Sequence, residues 1–419
     1  MVKDNCRIMF KNSIKKILGE KTVDFAKKIV VEINYLIFEV WLIRWQFILL
    51  MLFKEQKWDR RSESKLSFRK IESTDDRNIA RNIRSTNSEK IKPRILFVTE
   101  KWCDCNPNSG ITNSEHNLFG SLEASDLATQ DRLHFDEYYY KYNRSADRAL
   151  LEKCLEFQPS LIVITWLPEG SIFNPKWETL RLIKSKLKIP IVAIWFESIS
   201  KSLNMNIAEK LLPLVDLNIV LDSTTAYLEA TNNPEKYLPL WTPQDPRIFY
   251  NSDRERDIDI SFVGSIHRQN DTERRNGIAA LKAEGIQVFQ AGGQRENRLS
   301  VDEYAEIIRR SKITLNFSNV GYDNTGGPTV QCKGRVFEAT LSGAMLLESE
   351  NSETAKWLEP MVDYVPFRDT ADLVEKAKYY LENHSEREEI AARGYKTAME
   401  KYTADKFWKS VFDRVLGKD

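Results

Sequence analysis

The chain has 419 residues, 62 Lys and Arg against 61 Asp and Glu, and a formal net charge of +1. That length suits two or three domains, and the balanced charge excludes a chain built as a general nucleic-acid binder. Cys6, Cys103, Cys105, Cys154 and Cys332 are scattered, with neither a disulfide-framework nor a zinc-ribbon spacing, which fits a reducing compartment.

Charge is unevenly spread along the chain. Residues 1–90 hold 20 Lys and Arg against 12 Asp and Glu, a net of +8, whereas residues 91–419 hold 42 against 49, a net of −7. The basic segment contains the most apolar run, Ile29–Phe53. Glu32, Glu39 and Arg44 interrupt it, which argues against a bilayer span. Glu32, Glu39 and Gln46 fall seven residues apart, one narrow polar stripe on a helix, with Trp41 and Trp45 in the apolar remainder. Such a helix lies in the plane of a membrane surface, or docks on its own protein or a partner, and both readings stay open. The start lacks a compact signal-peptide layout. Residues 1–58 are therefore expected to form a basic amphipathic helical extension, and the polar, aperiodic residues 59–92 a linker.

The body begins with the short apolar run PRILFVTE (Pro93–Glu100). Further runs follow at Ser160–Trp166, Ile189–Glu197 and Asp216–Asp222, with amphipathic helical patterns between them. Continuous apolar strands alternating with helices predict a parallel sheet covered on both faces. The pattern breaks at Tyr237–Asp257, which has three prolines and a charge cluster and reads as a domain junction. A second alternating series starts at IDISFVGS (Ile258–Ser265). The expected fold class is thus α/β, with two Rossmann-like domains at 93–245 and 246–402, a C-terminal helix at 403–419 and the helical N-terminal extension.

Ligands of open parallel sheets bind beyond the C-terminal strand ends, which selects the loops that matter. After the first strand of the second half comes FVGSIHRQND, where Gly264 permits close backbone approach and His267 and Arg268 could meet a phosphate; a plain turn is the alternative. After the strand ending near Asn316 comes a loop with Gly321, Gly326 and Gly327, then a helix opening with Lys333 and Arg335. Free N–H groups at a helix start suit an anion, and two cations add fixed charge. Glu338, one turn further in, could accept ribose hydroxyls; the alternative is a weak Arg335–Glu338 surface pair at i, i+3. In the first half, the leading loop offers Glu100, Asp104 and His116, and Glu197 ends another strand. His116 is a candidate general base, against the alternative of a surface or helix-capping histidine. The Asp257–Asp259 Asp-x-Asp pattern precedes its strand and is set aside as a metal site. No metal or cofactor is expected.

KGRVFEATLSGAMLLES followed by YVPFRDTADLVEKAKYYLENHSEREEIAARGYKTAMEKYT, together with ISFVGS and YAEIIRRSKITLNFS, resembles the C-terminal part of CgeB-like (spore-protein-type) glycosyltransferases, over roughly Asp257 to Trp408. The resemblance implies the GT-B fold: two Rossmann-like domains facing across a cleft, with the last helix returning to the first. It implies a nucleoside-diphosphate sugar held by the second half, with Gly264 on the loop facing the phosphates; Arg268, Asn316, Gly326 and Gly327, read at the strand ends, complete the candidate donor site. Glu338 falls on the ribose-binding carboxylate, and Lys333 and Arg335 on the basic positions at the diphosphate. Related enzymes often carry a further Glu eight residues before the ribose Glu; here that position is Val330. His116 or Glu197 would serve the acceptor, and Arg335 the leaving diphosphate. The implied activity is metal-independent transfer to a lipid-linked, cell-envelope or protein glycan, in the cytoplasm or at the inner face of the membrane. The alternative is a non-catalytic two-lobed binding or scaffold protein.

Overall fold

The computed structural model describes residues 92–165, 170–197, 202–223, 228–229, 231–252, 254–266, 272–292, 299–320 and 329–417. The expected helix at Ile29–Phe53, and His267, Arg268, Gly321, Gly326 and Gly327, lie outside the described residues.

The first half is built on β1 (Arg94–Thr99), β2 (Thr129–His134), β3 (Leu161–Thr165), β4 (Ile191–Trp195), β5 (Leu217–Val220) and β6 (Tyr237–Pro239). They form one sheet in the order β2-β1-β3-β4-β5-β6, every neighbouring pair parallel. β3, β4 and β5 are buried along their whole length, and β1 at every residue but Arg94. Burial on both faces is why these strands read as unbroken apolar runs. The edge strands carry no such run. β2 is TQDRLH and mostly half-buried, and β6 ends on a proline, which an edge tolerates. Helices α1 (Ser121–Ser125), α2 (Phe135–Tyr142), α3 (Asp147–Phe157), α4 (Trp177–Leu182) and α5 (Ser202–Leu211) connect them.

The second half repeats the plan with β7 (Ile258–Val263), β8 (Val288–Ala291), β9 (Ser311–Asn316), β12 (Met345–Ser349) and β13 (Val365–Phe367), ordered β13-β12-β9-β7-β8 and again all parallel. A short antiparallel ribbon, β10 (Asn319–Val320) with β11 (Thr329–Val330), stands apart from that sheet. The helices here are α6 (Thr272–Ala283), α7 (Val301–Arg310), α8 (Gly334–Leu341), α9 (Thr370–Glu382), α10 (His384–Lys401) and α11 (Ala404–Val415). Ser300 and Glu303 close a reciprocal capping box at the start of α7, satisfying its first free donors. Gly343 ends α8 at φ 69°, where a Cβ would lie 2.5 Å from Asn251, so the chain can drop straight into β12.

One core joins the halves. Phe97, Ile194 and Trp241 from the first share a cluster with Val336, Phe337 and Leu346 from the second and with Tyr402, Phe407 and Trp408 near the C-terminus. A separate cluster, including Phe262, Leu281, Phe317 and Leu373, fills the other face of the second sheet. α11 packs on the first half. The fully buried Trp408 meets Phe97 edge-on at 5.7 Å, and its indole N–H donates to Ser121 Oγ at 2.9 Å. Trp408→Phe keeps a ring but strands that hydroxyl without its donor. We expect a loss of about 1–3 kcal/mol in unfolding free energy by urea titration; an unchanged midpoint would show that the bond adds nothing. Among the described residues no helix is long and apolar enough to cross a membrane.

Candidate nucleotide site

In the second sheet the chain runs from β7 to β8 on one side and returns to β9 on the other. The crevice of such a sheet opens where the order reverses, at the C-terminal ends of β7 and β9. Arg335, in the first turn of α8, enters that crevice. Its Nη2 donates to the carbonyl of Val263 at the end of β7, its Nη1 to Asn316 Oδ1 at 3.2 Å at the end of β9, and its Nε to the Tyr304 hydroxyl at 3.3 Å. The guanidinium also lies 5.3 Å from the centre of the Phe262 ring. A Cβ on Gly264 would stand 3.0 Å from that ring and 3.5 Å from Arg335 Nη2, so a bare backbone here lets both groups close in. Among the described residues these bonds use three of the five guanidinium N–H donors.

Glu338 is 8 % exposed. It is linked to Arg335 through Tyr304, whose hydroxyl donates to Glu338 Oε2 while accepting from Arg335. The surface ion pair weighed from sequence is thus replaced by a buried chain of three side chains. Glu338 Oε1 has no hydrogen-bond partner among the described residues, and it faces Gly334 at the mouth of α8, 3.4 Å from where a Cβ would be. Burial raises the Glu338 pKa, and Arg335 and Tyr304 oppose the rise.

Lys333 precedes α8, and its Nζ donates to the Phe317 carbonyl. Burial, with Arg274 and Arg335 nearby, pushes its pKa down to about 7. Beneath it on β12 lies Glu348, fully buried and pushed up to about 7 by that burial. Asn316 bridges the two sides, donating from Nδ2 to Glu348 Oε1 at 2.7 Å. The lead-in to α8 is bolted to the first half: the Cys332 N–H donates to the Asp222 carbonyl at 2.9 Å and Gln331 Nε2 to its carboxylate at 3.0 Å. Val330, eight residues before Glu338, sits in β11 opposite Asn319.

The structure thus brings Gly264, Asn316, Lys333, Arg335 and Glu338 together. Tyr304 and Glu348 escaped sequence reasoning. Tyr304 lies in an amphipathic helix and Glu348 near the end of a strand, positions that carry no local signal of a ligand site.

The first-half candidates divide. His116 sits on a π-helical turn, Glu115–Gly120, that runs into α1. Its ring centre is 6.1 Å from that of Phe249, which lies 6.0 Å from Tyr304, so it approaches the clamp through one intervening ring. Burial pushes the imidazole down to about 4, against the pull of Asp245 and Glu115, which leaves it neutral but a weak base at pH 7. Glu197 stands exposed just past β4. Glu100, just past β1, accepts from Thr112 at 3.4 Å. Burial, together with Asp136 and Asp104, pushes it up to about 7. Asp257 and Asp259 pair with Arg310 and Lys312. Among the described residues no group of His, Cys, Asp and Glu side chains could hold a metal ion.

Residues 254–413 match the family model described as Glycosyl transferase-like. No curated protein matches the sequence. Among solved structures, sucrose-phosphate synthase from Thermosynechococcus elongatus is 10 % identical with a TM-score of 0.53, over 77 % of this chain and 98 % of that one. Anabaena HepE in complex with UDP is 11 % identical with a TM-score of 0.51, over 76 % of this chain and 99 % of that one. HepE in complex with UDP-glucose aligns at 10 % identity and a TM-score of 0.50, over 77 % and 99 %. The fold is that of GT-B proteins, two Rossmann-like domains with parallel sheets, and its C-terminal half is a glycosyltransferase-like domain.

Proposed function

We propose that this chain is a glycosyltransferase that moves a sugar from a nucleoside-diphosphate sugar to a glycan acceptor. The observation that supports it most is the buried Arg335–Tyr304–Glu338 chain at the strand-order reversal, with one carboxylate oxygen held and the other free beside the opening of α8. Glu338 Oε1 takes a ribose hydroxyl. The remaining N–H donors of Arg335 and Lys333, with those opening α8, take the diphosphate. As the bond from the anomeric carbon to the diphosphate oxygen breaks, its electrons pass to that oxygen, where these donors stabilise them. The acceptor oxygen forms the new glycosidic bond and releases its proton. The first half offers His116, Glu197 and Glu100 to take that proton; His116 approaches the site through Phe249, and Glu100 has a proton affinity near neutrality.

At finer grain, we assign the chain to the CgeB-like group and the reaction to a metal-independent route. The amphipathic run Ile29–Phe53, set within the basic segment 1–90, favours work at the inner face of a membrane on a lipid-linked or envelope glycan. A second reading, a non-catalytic two-lobed binding protein, draws on Val330 standing where related enzymes place a glutamate. Thermal-shift measurements with UDP, GDP, TDP and CMP test the donor site. At a hundredfold excess over Kd, one nucleotide should stabilise the protein by about 2.7 kcal/mol. No response to any of the four at millimolar concentration would overturn the enzyme reading.

A further inference from the structure

We propose that Glu348 is a positioning residue of the donor site, setting the Arg335 guanidinium through the amide of Asn316; this rests on the nucleotide-sugar reading above. Glu348 and Asn316 are register partners on the neighbouring strands β12 and β9. Asn316 Nδ2 donates to Glu348 Oε1 at 2.7 Å, and Asn351 Nδ2 reaches the same oxygen at 3.4 Å. The other end of the Asn316 amide, Oδ1, accepts from Arg335 Nη1 at 3.2 Å. A carboxyl on one side and a guanidinium on the other allow a single amide orientation. Turned over, the amide would set N–H against N–H and oxygen against oxygen, and a guanidinium cannot accept. A fully buried acceptor on β12 therefore decides which end of Asn316 meets Arg335, and so how firmly the guanidinium is held between β7 and β9. The arrangement spends a fully buried carboxyl on this contact: Asn316 and Asn351 reach its Oε1, and the Thr354 hydroxyl is its other hydrogen-bonding neighbour.

The charged and titratable groups facing Glu348 are Lys333 and Cys332 from the segment before α8, Arg335 from α8, and Tyr364 from before β13. Lys333 in turn faces Arg274 and Glu273 on α6. Glu348 and Lys333 each change charge near pH 7. A bound diphosphate adds negative charge beside both and favours their protonated forms. Nucleotide affinity should therefore fall as pH rises from about 6 to 8.

Calorimetric titration with whichever of UDP, GDP and TDP binds most tightly tests this. Glu348→Leu removes the acceptor and should weaken binding about tenfold. Glu348→Gln keeps an acceptor oxygen for Asn316; it should stay within about threefold of the parent while its fall in affinity with pH becomes shallower. The nucleotide's own phosphate titrates identically in every variant, so differences in slope belong to the protein. Asn316→Ala should weaken binding about as much as Glu348→Leu, and the double variant no further, because both break one relay. Parent-like binding by Glu348→Leu, or additive losses in the double variant, would overturn the proposal. If Glu348→Leu does not fold, an unchanged pH slope in Glu348→Gln overturns it. A folded parent that binds none of the three nucleotides overturns the nucleotide-sugar reading itself, and this proposal with it.

Discussion

Replacing Arg335 by alanine is expected to lower kcat/KM for the donor by about 10²–10³-fold, the range that accompanies loss of a preorganised donor at a site of developing charge. With transfer to water as the readout, no acceptor is needed. The effect should exceed that of removing Lys333, because Arg335 does two jobs. It ties the end of β7 (Val263), the end of β9 (Asn316) and Tyr304 of α7 to α8, and it presents its remaining N–H groups to the diphosphate. Arg335→Lys keeps the charge but not the planar fork, so it should recover only a small part of the loss. The melting temperature of each variant separates chemistry from folding. A folded Arg335→Ala protein turning over donor within threefold of the parent would remove Arg335 from the proposed mechanism.

Glu338→Ala is expected to weaken nucleoside-diphosphate binding by about 10- to 100-fold, the scale for losing a hydrogen bond to a charged group in a buried site. Inorganic pyrophosphate should bind the variant about as well as the parent, since Glu338 is assigned to the ribose and not to the phosphates. Parent protein should also prefer a ribonucleotide over its deoxy form, and the variant should not, because a site built around a substrate hydroxyl penalises its absence. Glu338→Gln preserves the shape and an acceptor for Tyr304 and should fall between them. If Glu338→Ala retains the parent's preference for ribose, the sugar of the nucleotide lies elsewhere.

That Lys333, Arg335 and Glu338 share one helix start after a strand end was legible in the sequence, for a local reason. Lys333, Arg335 and Glu338 belong to six consecutive residues after a strand end, and the geometry of a helix start is set by its own few residues. The roles assigned to them changed in detail. Arg335 and Glu338, three apart on one helix, suggested a direct pair, yet Tyr304 of α7 stands between them. Glu348, ten residues past Glu338 and on the next strand, gave no sign of belonging to the site. His116 was a candidate base against the alternative of a surface or capping histidine; its neighbours Asp245 and Phe249 are distant in sequence, and burial takes its proton affinity down against the pull of Asp245.

What the sequence determined by itself was the pair of parallel sheets. Runs such as ILFV in β1, LIVI in β3 and MLL in β12 are apolar without alternation because both faces of each strand are covered, and that signal is local. The edge strands β2 and β6 carried no such signal, since an edge is defined by which neighbour is missing. The tertiary structure alone decided how α11 fastens to the first half through Trp408 and Ser121, 287 residues apart, and which buried groups meet Arg335. The physical reason is the same in both cases. Periodicity reports the burial of a residue, whereas proton affinity and hydrogen-bond partnership depend on which side chains from distant segments share that burial.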